Sequence, residues 1–186
     1  MTLNDFILFE RKWEGGLSRH TSDSASKTPC PTPFKGKTGW HTNAGITYSV
    51  WRKKFGKTND HRFFEMSNED WFTIFDSLYY SKVKAGEFKS LSIGFMVVTI
   101  AWGSGARQAG LTLQRAINNL GGQVSVDGAI GTKTIAAANA LPPQALFDEL
   151  VKQRAAFFQR IAKGKNAVFL KGWMNRLKAF TKAFRP

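Results

Sequence analysis

Between Leu91 and Trp102 the chain is apolar nearly all round: Ile93, Phe95, Met96, Val97, Val98, Ile100, Ala101 and Trp102 leave no polar stripe. A helix of that kind must be surrounded by protein, so other elements have to wrap it. Its β-branched residues would also suit a strand, but the patterns on either side are helical. Gly103-Ser104-Gly105 ends the segment. The run falls short of the roughly 18 apolar residues that a membrane span needs.

The flanking patterns supply the wrapping helices. Thr2-Leu3-Asn4-Asp5 offers a cap, and Leu3, Phe6, Ile7, Glu10, Trp13 and Glu14 then follow at helical spacing until Gly15-Gly16. Residues 17–46 read as a loop or short hairpin, because Ser26 to Gly45 holds three prolines and three glycines. A helix resumes near Thr47 and runs to Lys54. Ser67-Asn68-Glu69-Asp70 is a capping box opening a helix to about Lys82, with Trp71, Ile74, Phe75, Leu78 and Tyr79 inward. Further helices are expected over 106–120, 132–140, 143–163 and 166–184. Gly121-Gly122 and Asp127-Gly128 punctuate the first interval, and Pro142-Pro143 opens the long basic helix. The reading is an all-α fold in two lobes, with a short irregular or hairpin segment after the first helix. The 186 residues suffice for one domain with a small second lobe.

Charge divides the chain. Lys and Arg number 27 against 13 Asp and Glu, a formal net charge of +14. Residues 1–99 carry 14 basic and 10 acidic side chains, whereas residues 100–186 carry 13 and 3. Beyond Glu149 there are ten cations and no acid. Such a field favours a polyanion: nucleic acid, anionic lipid or an anionic cell wall. The balance shifts near residue 103, which sets the expected lobes at 1–102 and 103–186.

Among the carboxylates, Glu14 stands out. It ends its helix, where unpaired carbonyls present partial negative charge, and Glu10 lies one turn back on the same face. Trp13 adjoins it. Each influence disfavours the charged form of a carboxyl group. A protonated Glu at a cleft edge is what glycoside cleavage requires of a general acid. Gly15 and Gly16 would let a bulky polymer approach. The bland alternative is an exposed Glu at a frayed helix end.

Phe9-Glu10-Arg11-Lys12-Trp13-Glu14-Gly15-Gly16 resembles the E-G-G signature of glycoside hydrolase family 108, the lysozyme-like muramidases of phages and bacteria. Thr42-Asn43-Ala44-Gly45-Ile46-Thr47 resembles that family's downstream T-x-x-G-I-T/S segment, and Trp102-Gly103-Ser104-Gly105 its small turn after a buried helix. Leu113-Gln114 with Val126-Asp127-Gly128, Gly131 and Thr134 is similar to its C-terminal peptidoglycan-binding module. Lys171-Gly172-Trp173 and Arg176 match its closing G-W…R element. The motifs run in order along nearly the whole chain. The resemblance implies a lysozyme-like catalytic lobe, a peptidoglycan-binding lobe and Glu14 as general acid. Phage lysozymes of the Glu-Asp-Thr type place an Asp nine positions after the catalytic Glu, as Asp23 stands here, and a Thr before a G-I stretch, as Thr42 does. The chain departs from these patterns in a long insertion between Asp23 and Thr42, in Asp23-Ser24-Ala25-Ser26 replacing D-P-G-G, and in Thr99 replacing an Asp.

Asp23 is thus the candidate second carboxylate, or an Asx turn. Thr42 and Thr47 are candidates to hold water or a sugar hydroxyl; Thr47 would alternatively cap a helix. Asn43 would bind an acetamido group or shape a turn. Trp40, Phe34 and His41 would wall the cleft with aromatic faces or pin the loop. His20, His41 and His61 lack metal-ligand spacing, so surface positions are the default for them, and neither metal nor cofactor is expected. Cys30, the sole cysteine, excludes an internal disulfide and has no evident base beside it. No phosphate loop, dinucleotide fingerprint or nucleic-acid reader motif is present.

The expected function is hydrolysis of the β-1,4 bond between N-acetylmuramic acid and N-acetylglucosamine, with lysis of the wall. A lytic transglycosylase using the same Glu, and a non-enzymatic basic protein of walls or membranes, are the alternatives. The expected partners are peptidoglycan and an anionic membrane surface, with no nucleic acid, and the expected state is a monomer. The N-terminus does not read as a secretory signal. The expectation is therefore synthesis in the bacterial cytoplasm and action at the periplasm or wall after release, as for a phage or prophage endolysin.

Overall fold

A computed structural model describes residues 1–19, 41–56 and 60–186. Asp23, Trp40, Cys30, Phe34 and His20 lie outside the described residues. Two compact units make up the chain, Leu3–Asp76 and Ser77–Pro186, the latter joined by Met1–Thr2. The predominantly helical architecture with a small sheet agrees with the all-α expectation.

In the first unit, α1 (Leu3–Glu14) buries Phe6, Ile7 and Glu10. Three two-residue strands follow in antiparallel order: β1 (Leu17–Ser18), β2 (Thr42–Asn43) and β3 (Ile46–Thr47). Ala44 and Gly45 join β2 to β3 with φ of 46° and 76°, the paired positive values of a tight hairpin turn. Helix α2 (Tyr48–Phe55) is capped by Thr47, whose hydroxyl accepts from the Val50 N–H at 3.3 Å. A five-residue α3 (Asp60–Phe64) was not expected; it is too short to show a period. Helix α4 (Asn68–Phe75) starts where the capping box placed it, with Ser67 Oγ accepting from Asp70 N–H at 3.0 Å. Asp70 also pairs with Arg62.

The interior of this unit is aromatic. Trp71 stacks on Phe75 with centroids 4.5 Å apart, and Phe6 meets the same ring at 5.9 Å. Tyr48 and Trp51 present edges to Phe63 at 5.3 and 5.9 Å. Trp71 Nε1–H donates to the Ala44 carbonyl at 2.9 Å, which ties the hairpin turn to α4. Burying each such ring contributes about 1.5–3 kcal/mol.

The helix expected to continue to Lys82 instead passes into a π-helical turn, Asp76–Tyr80. A π turn holds more residues per revolution, so side chains beyond it rotate off the apolar face. Leu78, expected to point inward, is accordingly 40% exposed.

In the second unit, α5 (Leu91–Ser104) is the apolar segment, buried at nine of its positions. It packs against α6 (Ala106–Asn119), α8 (Pro143–Ile161) and a 3-10 turn, Ala85–Glu87. Helix α7 (Thr132–Ala140) leans on α6. The expected helix over 166–184 begins as a 3-10 turn, Gly164–Phe169, and then becomes α9 (Leu170–Phe184). Phe184 closes on Phe95 at 5.7 Å and Phe180 stacks on Phe147 at 6.3 Å, so α9 seals α5 and α8. Arg154 belongs to the basic run beyond Glu149. It is only 5% exposed, with Nη1 donating to Ser104 Oγ at 2.8 Å and its guanidinium 4.3 Å from the Phe158 centroid.

Candidate active site

Glu14 is the last residue of α1 and is half-buried. Gly15 leaves the helix at φ 68°, a conformation that L side chains rarely adopt. Among the described residues, a Cβ placed on Gly15 or Gly16 would meet nothing within 4 Å. One turn earlier, Glu10 has no exposed surface. The two carboxyl groups therefore differ in environment: one is enclosed by the unit, the other is at its edge.

The short sheet ties that edge to the hairpin. Ala44 N–H donates to the Gly16 carbonyl at 3.4 Å, and His41 N–H to the Ser18 carbonyl at 3.2 Å. The register pairs Ser18 with Thr42, and Thr42 with Thr47. Paired residues share one face of a sheet, so three hydroxyl side chains form a row there, each half-buried. The other face carries Leu17, Asn43 and Ile46. Sequence reasoning found Thr42 and Thr47 but missed Ser18, because its pairing spans residues 19–41 and leaves no local signal.

The members of the row are not equivalent. Thr47 is occupied as the cap of α2 and lies 3.3 Å from Ser49 Oγ. Thr42 Oγ1 lies 3.3 Å from His41 Nδ1. For His41 the expectations were a surface position, a cleft wall or a pin for the loop; it is 3% exposed, which fits the pin. Its carbonyl accepts from Tyr48 N–H at 2.8 Å while its N–H reaches Ser18, so the backbone carries it into the sheet. Asn43, a candidate for an acetamido group, is buried and turned the other way. Its Nδ2 donates to the carbonyls of Phe63 and Phe64 at 2.6 and 3.4 Å, which anchors α3. The geometry gives Asn43 a fold-holding contact.

In chemical terms, a carboxyl group at the end of a helix is tied through the backbone of Gly16 and Ser18 to a row of hydroxyls. That set can deliver a proton and orient a hydroxylic ligand. Among the described residues no group of three or more His, Cys, Asp or Glu could hold a metal ion. None of the described helices is long and apolar enough to cross a membrane.

Comparison with known proteins gives these observations a frame. The family model described as "Predicted Peptidoglycan domain" matches residues 108–178. No curated protein matches the chain. Among solved structures, the chain is similar to that titled "Structure of Brucella abortus SagA". The TM-score is 0.71 at 22% identity, covering 99% of this chain and 97% of that one, a likeness of fold. The family model for glycosyl hydrolase 108 matches residues 8–105, which include Glu14 and the whole hairpin. This chain therefore belongs to glycosyl hydrolase family 108, a glycoside hydrolase acting on peptidoglycan.

Proposed function

We propose that the chain hydrolyses the β-1,4 bond between N-acetylmuramic acid and N-acetylglucosamine, with Glu14 protonating the leaving oxygen. The observation that supports this reading is the position of Glu14 at the Gly15-Gly16 end of α1, joined through Gly16 and Ser18 to the hairpin of Thr42 and Thr47. As the bond breaks, positive charge develops at the anomeric carbon and ring oxygen. A water then adds, and a hydroxyl row on one sheet face suits its orientation. Asp23 is the candidate for the second carboxylate, by its spacing from Glu14. Loss of wall integrity would follow from cleavage of many such bonds.

The test is mass spectrometry of muropeptides released from purified sacculi by the unaltered chain and by Glu14→Gln. Hydrolysis gives reducing muropeptides heavier by one water, and Glu14→Gln abolishes them. Anhydro products lacking that water would make the enzyme a lytic transglycosylase. Unchanged release by Glu14→Gln would remove Glu14 from the chemistry.

A further inference from the structure

The second unit has an open polar groove between α6 and α8. Gln108, Thr112 and Arg115 form one wall at four- and three-residue spacing, a single stripe of α6. Gln153, Ala156, Phe157 and Arg160 form the facing stripe of α8. Arg115 and Arg160 are exposed, and the small side chain of Ala156 leaves room between them.

Several of these groups are held in place. Gln108 Nε2 donates to Thr112 Oγ1 at 3.1 Å, while that hydroxyl donates to the Gln108 carbonyl at 2.9 Å. Gln153 Nε2 donates to Glu149 Oε1 at 3.2 Å. The Phe157 ring is flanked by two guanidinium groups, Arg154 at 5.2 Å and Arg160 at 5.3 Å. Glu149, the carboxylate nearest in sequence, also takes bonds from Asn119 and Lys152 and is not part of the lining. The groove thus joins two cations, ordered amides and a cation-covered ring, a set suited to a carboxylate on a polar chain.

We propose that this groove is where the second unit grips peptidoglycan. Its ligand is a stem-peptide carboxylate, taken by Arg115 and Arg160, with the adjoining peptide lying on Phe157. The inference rests on the peptidoglycan assignment of residues 108–178, which contain every residue of the groove. Stem peptides carry free carboxylates along an otherwise neutral glycan. A guanidinium pair would read them where general basicity would read only overall charge.

The experiment is co-sedimentation on ice with purified sacculi, comparing the unaltered chain with R115Q/R160Q. A charge-matched control, K163Q/K182Q, removes two exposed cations outside the groove. R115Q/R160Q should lose about tenfold or more in affinity, and the control about twofold at most. Sacculi whose stem-peptide carboxylates are capped as neutral amides should bind the unaltered chain as weakly as intact sacculi bind R115Q/R160Q. Equal loss in the control, full retention on the capped sacculi, or unchanged binding by R115Q/R160Q would each overturn the proposal. Muropeptide products are read separately, so an error about Glu14 or the cleaved bond leaves the sedimentation result unmoved. Both arginines are exposed, and an unaltered thermal midpoint for R115Q/R160Q separates lost binding from lost fold.

Discussion

Gln114 clasps the turn at Asp127 with both ends of its amide. Its Nε2 donates to Asp127 Oδ1 at 2.7 Å and to the Ala129 carbonyl at 2.9 Å, while its Oε1 accepts from Gly128 N–H at 2.7 Å. Gln114 is 1% exposed, so each of these groups is shielded on the Gln side. Gln114→Leu keeps the volume but leaves the half-buried Gly128 N–H and the Ala129 carbonyl without that partner. The expected loss is about 2–4 kcal/mol in urea unfolding, with little change in hydrolysis below the transition.

The same turn approaches α6 at backbone distance. A Cβ on Gly110 would stand 2.1 Å from the Gly128 carbonyl oxygen, which no rotamer change relieves. Gly110→Ala should therefore destabilise the second unit by more than a surface substitution does, by about 2 kcal/mol or more. A lowered midpoint in circular dichroism melting checks it.

Acid should weaken the second unit. Asp127 is held below the ordinary carboxylate range chiefly by the Ala129 N–H, then by Gln114 and by the charge of Arg107. Asp148 is lowered by Gln144 and then Arg185. For Glu149 burial acts upward, but bonds from Asn119, Gln153 and Lys152 prevail and the net shift is down. Each folded value lies below its unfolded one. The stabilisation is therefore complete above the unfolded value, about 4, and is lost as pH falls through the folded value. The urea midpoint should drop on going from pH 5 to pH 3, and Asp127→Asn should make that drop smaller.

In the first unit, Asn43 and Thr42 should separate stability from activity. Asn43→Ala removes the amide that holds α3 and should cost about 1–3 kcal/mol, read by denaturant unfolding. Thr42→Val leaves the sheet register intact but removes the central hydroxyl of the row. The proposed role of that row predicts a drop in turnover on sacculi of about tenfold, with an unchanged melting temperature. Equal activity in Thr42→Val would dismiss the row as a ligand contact.

Features carried by local chemistry were legible in the sequence. The ends of α1 followed from Gly15-Gly16, the start of α4 from Ser67, and the depth of α5 from its unbroken apolar surface. Features made by distant partners were not. The row from Ser18 to Thr47 exists because strands far apart in sequence pair. Leu78 turned outward because one π turn changed the period. Arg154 is buried where Ser104, on another helix and far away in sequence, accepts its N–H, which a basic run does not announce.

That enclosed arginine also governs how its helix can move. Sliding or rolling α8 would pull that guanidinium away from Ser104 on α5, so the rod is keyed like a shaft in its bearing. Phe157, whose ring lies 5.2 Å from that guanidinium, and Arg160 on the same rod inherit that fixed azimuth and meet an incoming polymer without first having to be arranged.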